Sequence, residues 1–87
     1  MMRVLVIGPE RTVFDGQAES LVAPGYDGEL GILPRHAPFM TLLGTGRLAI
    51  RAGGATSRFR VQGGFLQVVS NTVRIVAEHL QGDSDDA

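Results

Sequence analysis

The 87-residue sequence contains no cysteine and no lysine. Without cysteine there is no disulfide framework and no thiolate metal site. A reducing compartment is compatible with that. Without lysine there is no phosphate loop, in which glycines lead to a lysine at a helix N-terminus. Long apolar runs are missing too. None could cross a membrane as a helix, and Val4–Ile7, after Met1-Met2-Arg3, is too brief for the core of a signal peptide. Charge of one sign is also lacking. The formal net charge is −1, which gives no general attraction for nucleic acid. All eight basic residues are arginines, and they are spread along the chain rather than gathered in one block.

What the sequence does contain is suited to a packed core. Hydrophobic residues make up 44% and charged residues 20%, a balance that excludes intrinsic disorder. The length suggests one domain, with a stability of roughly 4–13 kcal/mol at ordinary per-residue values.

The local pattern is β nearly throughout. Arg3–Ile7 is a short β-branched run stopped by Gly8-Pro9. Thr12–Phe14 predicts a second strand before Asp15-Gly16, and Glu19–Ala23 a third, closed by Pro24-Gly25. Gly28–Leu33 predicts a fourth, closed by Pro34. Pro38–Leu43 is ambiguous: Phe39, Met40, Leu42 and Leu43 would fit one helical face, but the segment is short and ends at Gly44, which favours a strand. Leu48 and Ile50 alternate with Arg47, Ala49 and Arg51, the period of a half-buried strand. Gly53-Gly54 supplies a hairpin turn, and Arg58–Gln62 returns. Gly63-Gly64 marks a bulge or a close backbone approach. Phe65–Val69 and Thr72–Ala77 flank a tight turn at Ser70-Asn71, with Phe65 a candidate core residue. The expected fold is all-β, a small sandwich of two mostly antiparallel sheets over residues 1–81. Residues 82–87, GDSDDA, are expected to be a frayed acidic tail.

Chemistry is harder to find. Ser20, Ser57, Ser70 and Ser84 lack a nucleophile-elbow setting, and His36 and His79 lie far apart. Two histidines without a spaced acid make a poor zinc site. Asp83, Asp85 and Asp86 lack the glycine and glutamate of a calcium loop. Asp27 and Glu29 would share a strand face and could serve acid–base chemistry. A solvated, glycine-rich turn is nevertheless a poor place to shift carboxylate pKa values. No catalytic residue, metal or cofactor is expected.

The most specified stretch is Pro24–Phe39, PGYDGELGILPRHAPF. Glycines at 25, 28 and 31 permit unusual backbone angles. Prolines at 24, 34 and 38 stiffen what surrounds them. Tyr26 is either a plain turn aromatic or an amphipathic anchor of the kind enriched at binding hot spots. His36 is either a turn histidine bonded to neighbouring backbone or an interface contact. The residues alone support a β-sandwich interaction module.

At these residues the chain resembles the epsilon subunit of the rotary proton-translocating ATP synthase. The likeness is carried by APGYDGELGILPRHAPFMTLLGTGRLAIR (Ala23–Arg51), QGGFLQVVSNTVRIVAE (Gln62–Glu78) and the opening VIGPERTVFDGQAESLVAP, in that family's order. The resemblance implies an N-terminal β-sandwich without the helical hairpin that follows it in the family. The inhibitory arm, and the ATP site of some members, are therefore not expected in these residues. Arg35 stands where the family commonly has a small residue. By resemblance the protein is a non-catalytic central-stalk subunit, peripheral on the cytoplasmic face of the membrane. It would join the gamma subunit to the c-ring and couple proton translocation to ATP synthesis. Tyr26, Asp27, Gly28 and Glu29 would face the ring, and His36 and Thr41 the gamma subunit. The competing readings are a free-standing β-sandwich binding module and, opposed by the missing constellation, a small enzyme.

Overall fold

The computed structural model describes residues 1–82. Side chains there alternate inward and outward along nearly every segment, and the segments pair as strands. These are β1 (Met2–Ile7), β2 (Thr12–Ala18), β3 (Ser20–Gly25), β4 (Gly28–Ile32), β5 (Phe39–Leu42), β6 (Thr45–Ala52), β7 (Ala55–Val69) and β8 (Thr72–Gly82). No helix occurs among the described residues. The ambiguous Pro38–Leu43 segment is the strand β5. β2 runs further than expected: Asp15 and Gly16 lie inside it, paired with Leu5 and Val4. Their turn composition gives way to a ladder that sheet pairing completes. The acidic residues 83–87 lie outside the described residues, and Gly82 ends β8.

The sandwich is one sheet folded over. Its strand order is β2-β1-β8-β7-β6-β3-β4, with β5 also on β7. All these pairings are antiparallel except β1 with β8. β5 and β6 meet β7 in one continuous register, Phe39 opposite Val68 and Thr45 opposite Gln62. The first half of β7 therefore belongs to one layer and the second half to the other. The corner lies at Gly63 and Gly64, with φ of 72° and 109°. A Cβ on Gly64 would collide with the Val76 carbonyl and the Ala77 Cα. The β7–β8 register is unbroken across this point, so the glycines serve a close backbone approach rather than a bulge. Ser70 and Asn71 both adopt positive φ, as a two-residue hairpin turn requires.

The core lies between the layers. Met2, Val4, Val6, Leu21, Ile32, Leu48, Ile50, Val61, Leu66, Val68, Val73 and Ile75 are fully buried, and among the described residues no polar side chain is buried with them. Phe14 of β2 meets Phe59 of β7 edge-on, with ring centroids 6.5 Å apart. Phe65 is not part of this core. It neighbours Leu66, and strand alternation turns it to the outer face, where it is half-buried.

Candidate docking surface

Tyr26 and Asp27 form the two-residue connection between β3 and β4, closed by Gly25 opposite Gly28. Gly28 has φ 133°, a conformation that favours glycine. Tyr26, Asp27, Gly28 and Glu29 are all exposed, Tyr26 at 68%. The turn is held in place by its backbone. The Tyr26 amide donates to the Leu42 carbonyl at 3.1 Å, and the Gly44 amide donates to the Pro24 carbonyl at 2.9 Å. This seats the acidic turn against the C-terminal end of β5.

The other end of β5 carries His36. The ring is exposed, its Nδ1 donates to the Ala37 carbonyl at 2.7 Å, and it lies 4.9 Å from the Phe39 ring. The neighbouring backbone is anchored across the molecule. The Arg35 amide donates to Asn71 Oδ1 at 2.8 Å, and Asn71 Nδ2 donates to the Met1 carbonyl at 2.8 Å. Arg35 itself has φ 66°, where a Cβ is costly. The two expected contact regions are thus separated by β5, about 10 Å of extended chain. Thr41 shares the inward side of β5 with Phe39, is half-buried, and donates from Oγ1 to the Leu42 carbonyl at 3.4 Å.

The outward side of β5 bears residues that sequence reading did not single out as contacts. Met40 and Leu42 are each 60% exposed. Leu42 pairs with Phe65, Phe65 with Val76, and Val76 with Ile7. Paired residues share a face, so these four make an apolar row across four strands on the outside of the sandwich. Met40 opens the next row, which continues through Gln67 and Arg74 to Leu5. The only local signal was the alternation in Phe39–Leu42; the row itself needs the pairing. At the far edge Arg3 and Asp15 form a two-pronged ion pair, with N···O distances of 3.2 and 3.1 Å. Hydrogen bonding and the charge of Asp15 raise the Arg3 guanidinium further above its ordinary range.

Among the described residues no group of three or more His, Asp or Glu side chains could hold a metal ion. Asp27 and Glu29 sit on an open turn without a base or nucleophile beside them. A cleft of about 720 Å³ opens between the β1–β2 turn and the ends of β7 and β8, with Arg11, Arg60 and His79 on its walls. Glu10, Thr12 and Thr45 line it too, without a side-chain hydrogen bond to His79 among the described residues. Rigid backbone, an acidic turn and a contiguous apolar row equip this side of the molecule for contact with another protein.

Residues 1–82 match the family model described as the ATP synthase delta/epsilon chain β-sandwich domain. An ATP synthase epsilon chain from Leptospira borgpetersenii is 46% identical over 78 residues, covering 90% of this chain and 61% of the relative. The epsilon chain of Caulobacter vibrioides is 42% identical over 74 residues, covering 85% of this chain and 86% of the relative. Among solved structures, a chain of the Tetrahymena thermophila mitochondrial ATP synthase central stalk and c-ring superposes with a TM-score of 0.77 at 25% identity, covering 93% of this chain and 66% of that one. The chain spans about three-fifths of the length of the Leptospira relative.

Proposed function

The chain belongs to the family of ATP synthase delta/epsilon chain β-sandwich domains, and we propose that it acts as a non-catalytic rotor subunit, joining the gamma subunit to the c-ring. In this role it couples proton translocation to ATP synthesis and stays peripheral, on the cytoplasmic face of the energy-transducing membrane.

The observation that carries this reading is the backbone lock between the Tyr26–Glu29 turn and β5. It makes one rigid body of an acidic tip and an outward apolar row. In the proposed assembly Tyr26, Asp27, Gly28 and Glu29 contact the ring. Acids at an exposed tip favour orientation against polar or basic loops, and Tyr26 adds contact area at small entropic cost. His36 and Thr41 lie toward gamma, and Met40 and Leu42, on the opposite, outward side of β5, add apolar surface of the kind found at the centre of protein interfaces. A body that passes torque must not shear, which suits a fused two-layer sheet better than a mobile lid.

Reconstitution with gamma and the c-ring, followed by cross-linking from Glu29→Cys and His36→Cys, tests the proposal. Cross-links from Glu29→Cys to the ring and from His36→Cys to gamma are expected. A monomer with no affinity for either partner would overturn the reading and leave a free-standing binding module.

A further inference from the structure

Two arginines lie on the strands of the outer face that bears the apolar row, and only one of them has a partner among the described residues. Met40, Gln67, Arg74 and Leu5 form the row next to the one that runs from Leu42 to Ile7. Val73 and Ile75 are fully buried, so Arg74 between them points outward, and it is exposed. Asp15 stands opposite Leu5 at the end of this row. Its carboxylate is already held by both prongs of Arg3. Glu78, the acid four residues further along β8, lies over Gly63 instead. Among the described residues, therefore, no carboxylate pairs with the Arg74 guanidinium.

Arg74 also borders a hollow. Arg3, Leu5, Gln67, Val69, Thr72 and Arg74 surround about 290 Å³ on this face. A water takes about 30 Å³, so a side-chain head group has room there. Leu5 and Val69 offer apolar walls, Gln67 an amide and Thr72 a hydroxyl, and no carboxylate lines the space. Because Asp15 balances Arg3, Arg74 contributes a single uncompensated positive charge. The hollow is thus a small cationic socket beside an apolar row.

We propose that this socket receives an Asp or Glu side chain of the protein surface that covers the apolar row, with Arg74 as the residue that selects it. The inference deepens the rotor reading and rests on it, since there the covering surface is the gamma subunit. A guanidinium fork matches a carboxylate with two parallel N–H donors. Contact along Leu42, Phe65, Val76 and Ile7 removes water from beside the pair, which strengthens it. Arginines in such surroundings are recurrent hot spots. A free anion would gain nothing from the apolar row, whereas a protein surface gains from both features.

The test titrates the full 87-residue chain into gamma by calorimetry. Arg74→Gln should weaken binding about three- to tenfold and Arg74→Glu more than about tenfold, with the larger loss at low salt. Melting temperatures should stay unchanged, because Arg74 is exposed. Arg51→Glu makes the same charge change on β6, away from the apolar row, and should cost less than about threefold. Among gamma variants with one Asp or Glu changed to Arg, one should restore at least about fivefold of the affinity of Arg74→Glu. A parent chain that does not bind gamma would overturn the rotor reading and this proposal with it. Binding that survives Arg74→Glu, or that falls equally in Arg51→Glu, would overturn the socket alone. So would self-association in sedimentation that Arg74→Glu abolishes while gamma affinity holds, since the socket would then serve a second copy of the chain.

Discussion

The Leu43 amide donates to the Gly64 carbonyl at 2.9 Å, at the corner where β7 leaves one layer for the other. The Gly63 amide completes the corner by donating to the Gly44 carbonyl at 3.2 Å. This pair of bonds ties the corner to the chain between β5 and β6, while β8 on the other side leaves no room for a side chain at Gly64.

Gly64→Ala should therefore be among the most damaging small substitutions. The added methyl meets backbone of Val76 and Ala77, which cannot swing aside as a side chain could. Backbone strain of about 1–3 kcal/mol and overpacking of about 1–3 kcal/mol together predict a loss of roughly 2–6 kcal/mol. Urea unfolding of the variant checks this, and a loss below about 1 kcal/mol would mean the corner is pliable.

Adjacent residues on opposite faces give a second test. Leu66 is fully buried, and Leu66→Ala should cost about 2–5 kcal/mol. Phe65→Ala should cost less than about 2 kcal/mol, because only part of the ring leaves water. The reverse order in chemical denaturation would place Phe65 in the core after all.

Arg35 holds a left-handed backbone, φ 66°, with its amide bonded to Asn71. Arg35→Gly relieves a strain of about 1–2 kcal/mol and loses about 0.5–1 kcal/mol through the freer unfolded chain. A small net gain, up to about 1.5 kcal/mol, is expected in thermal melts, with the Asn71 bonds retained.

The outward side of β5 predicts a separation of stability from assembly. Met40→Asp or Leu42→Asp should leave the melting temperature nearly unchanged, since each side chain is 60% exposed. Under the rotor proposal either change should weaken gamma binding by at least about thirtyfold, the equivalent of a hot-spot loss near 2 kcal/mol. Thr41→Ala, on the inward side, should do less. Titration calorimetry with gamma distinguishes the two faces.

Glu29 is exposed on the turn, so Glu29→Arg should keep the fold and disturb attachment to the ring. ATP-driven proton pumping by the reconstituted complex should fall while the isolated domain melts as before. A lower melting temperature would make Glu29 a structural residue.

Much of this fold was legible from local chemistry. Gly53-Gly54 and Ser70-Asn71 announce their hairpins because few residues tolerate positive φ. Leu48 and Ile50 reveal an inward face because a strand has a period of two. Phe65 and Asp15-Gly16 misled for the complementary reason. Whether an aromatic points inward, or a turn-like pair stays in a ladder, depends on the strand alongside. The candidate contact residues divided in the same way. The exposed Tyr26–Glu29 turn followed from glycine and its neighbours, whereas the outward display of Met40 and Leu42 beside Phe65 required the pairing of β5 with β7.

By itself, then, the sequence determined where most of the turns fall and that the chain forms strands around a packed core. These properties come from backbone sterics and from hydrophobicity at short range, which each segment carries alone. Only the tertiary structure decided which strands lie side by side. That choice built the apolar row from Leu42 to Ile7 and set Arg74 in the row beside it, because a sheet surface is read across strands while a sequence is read along them.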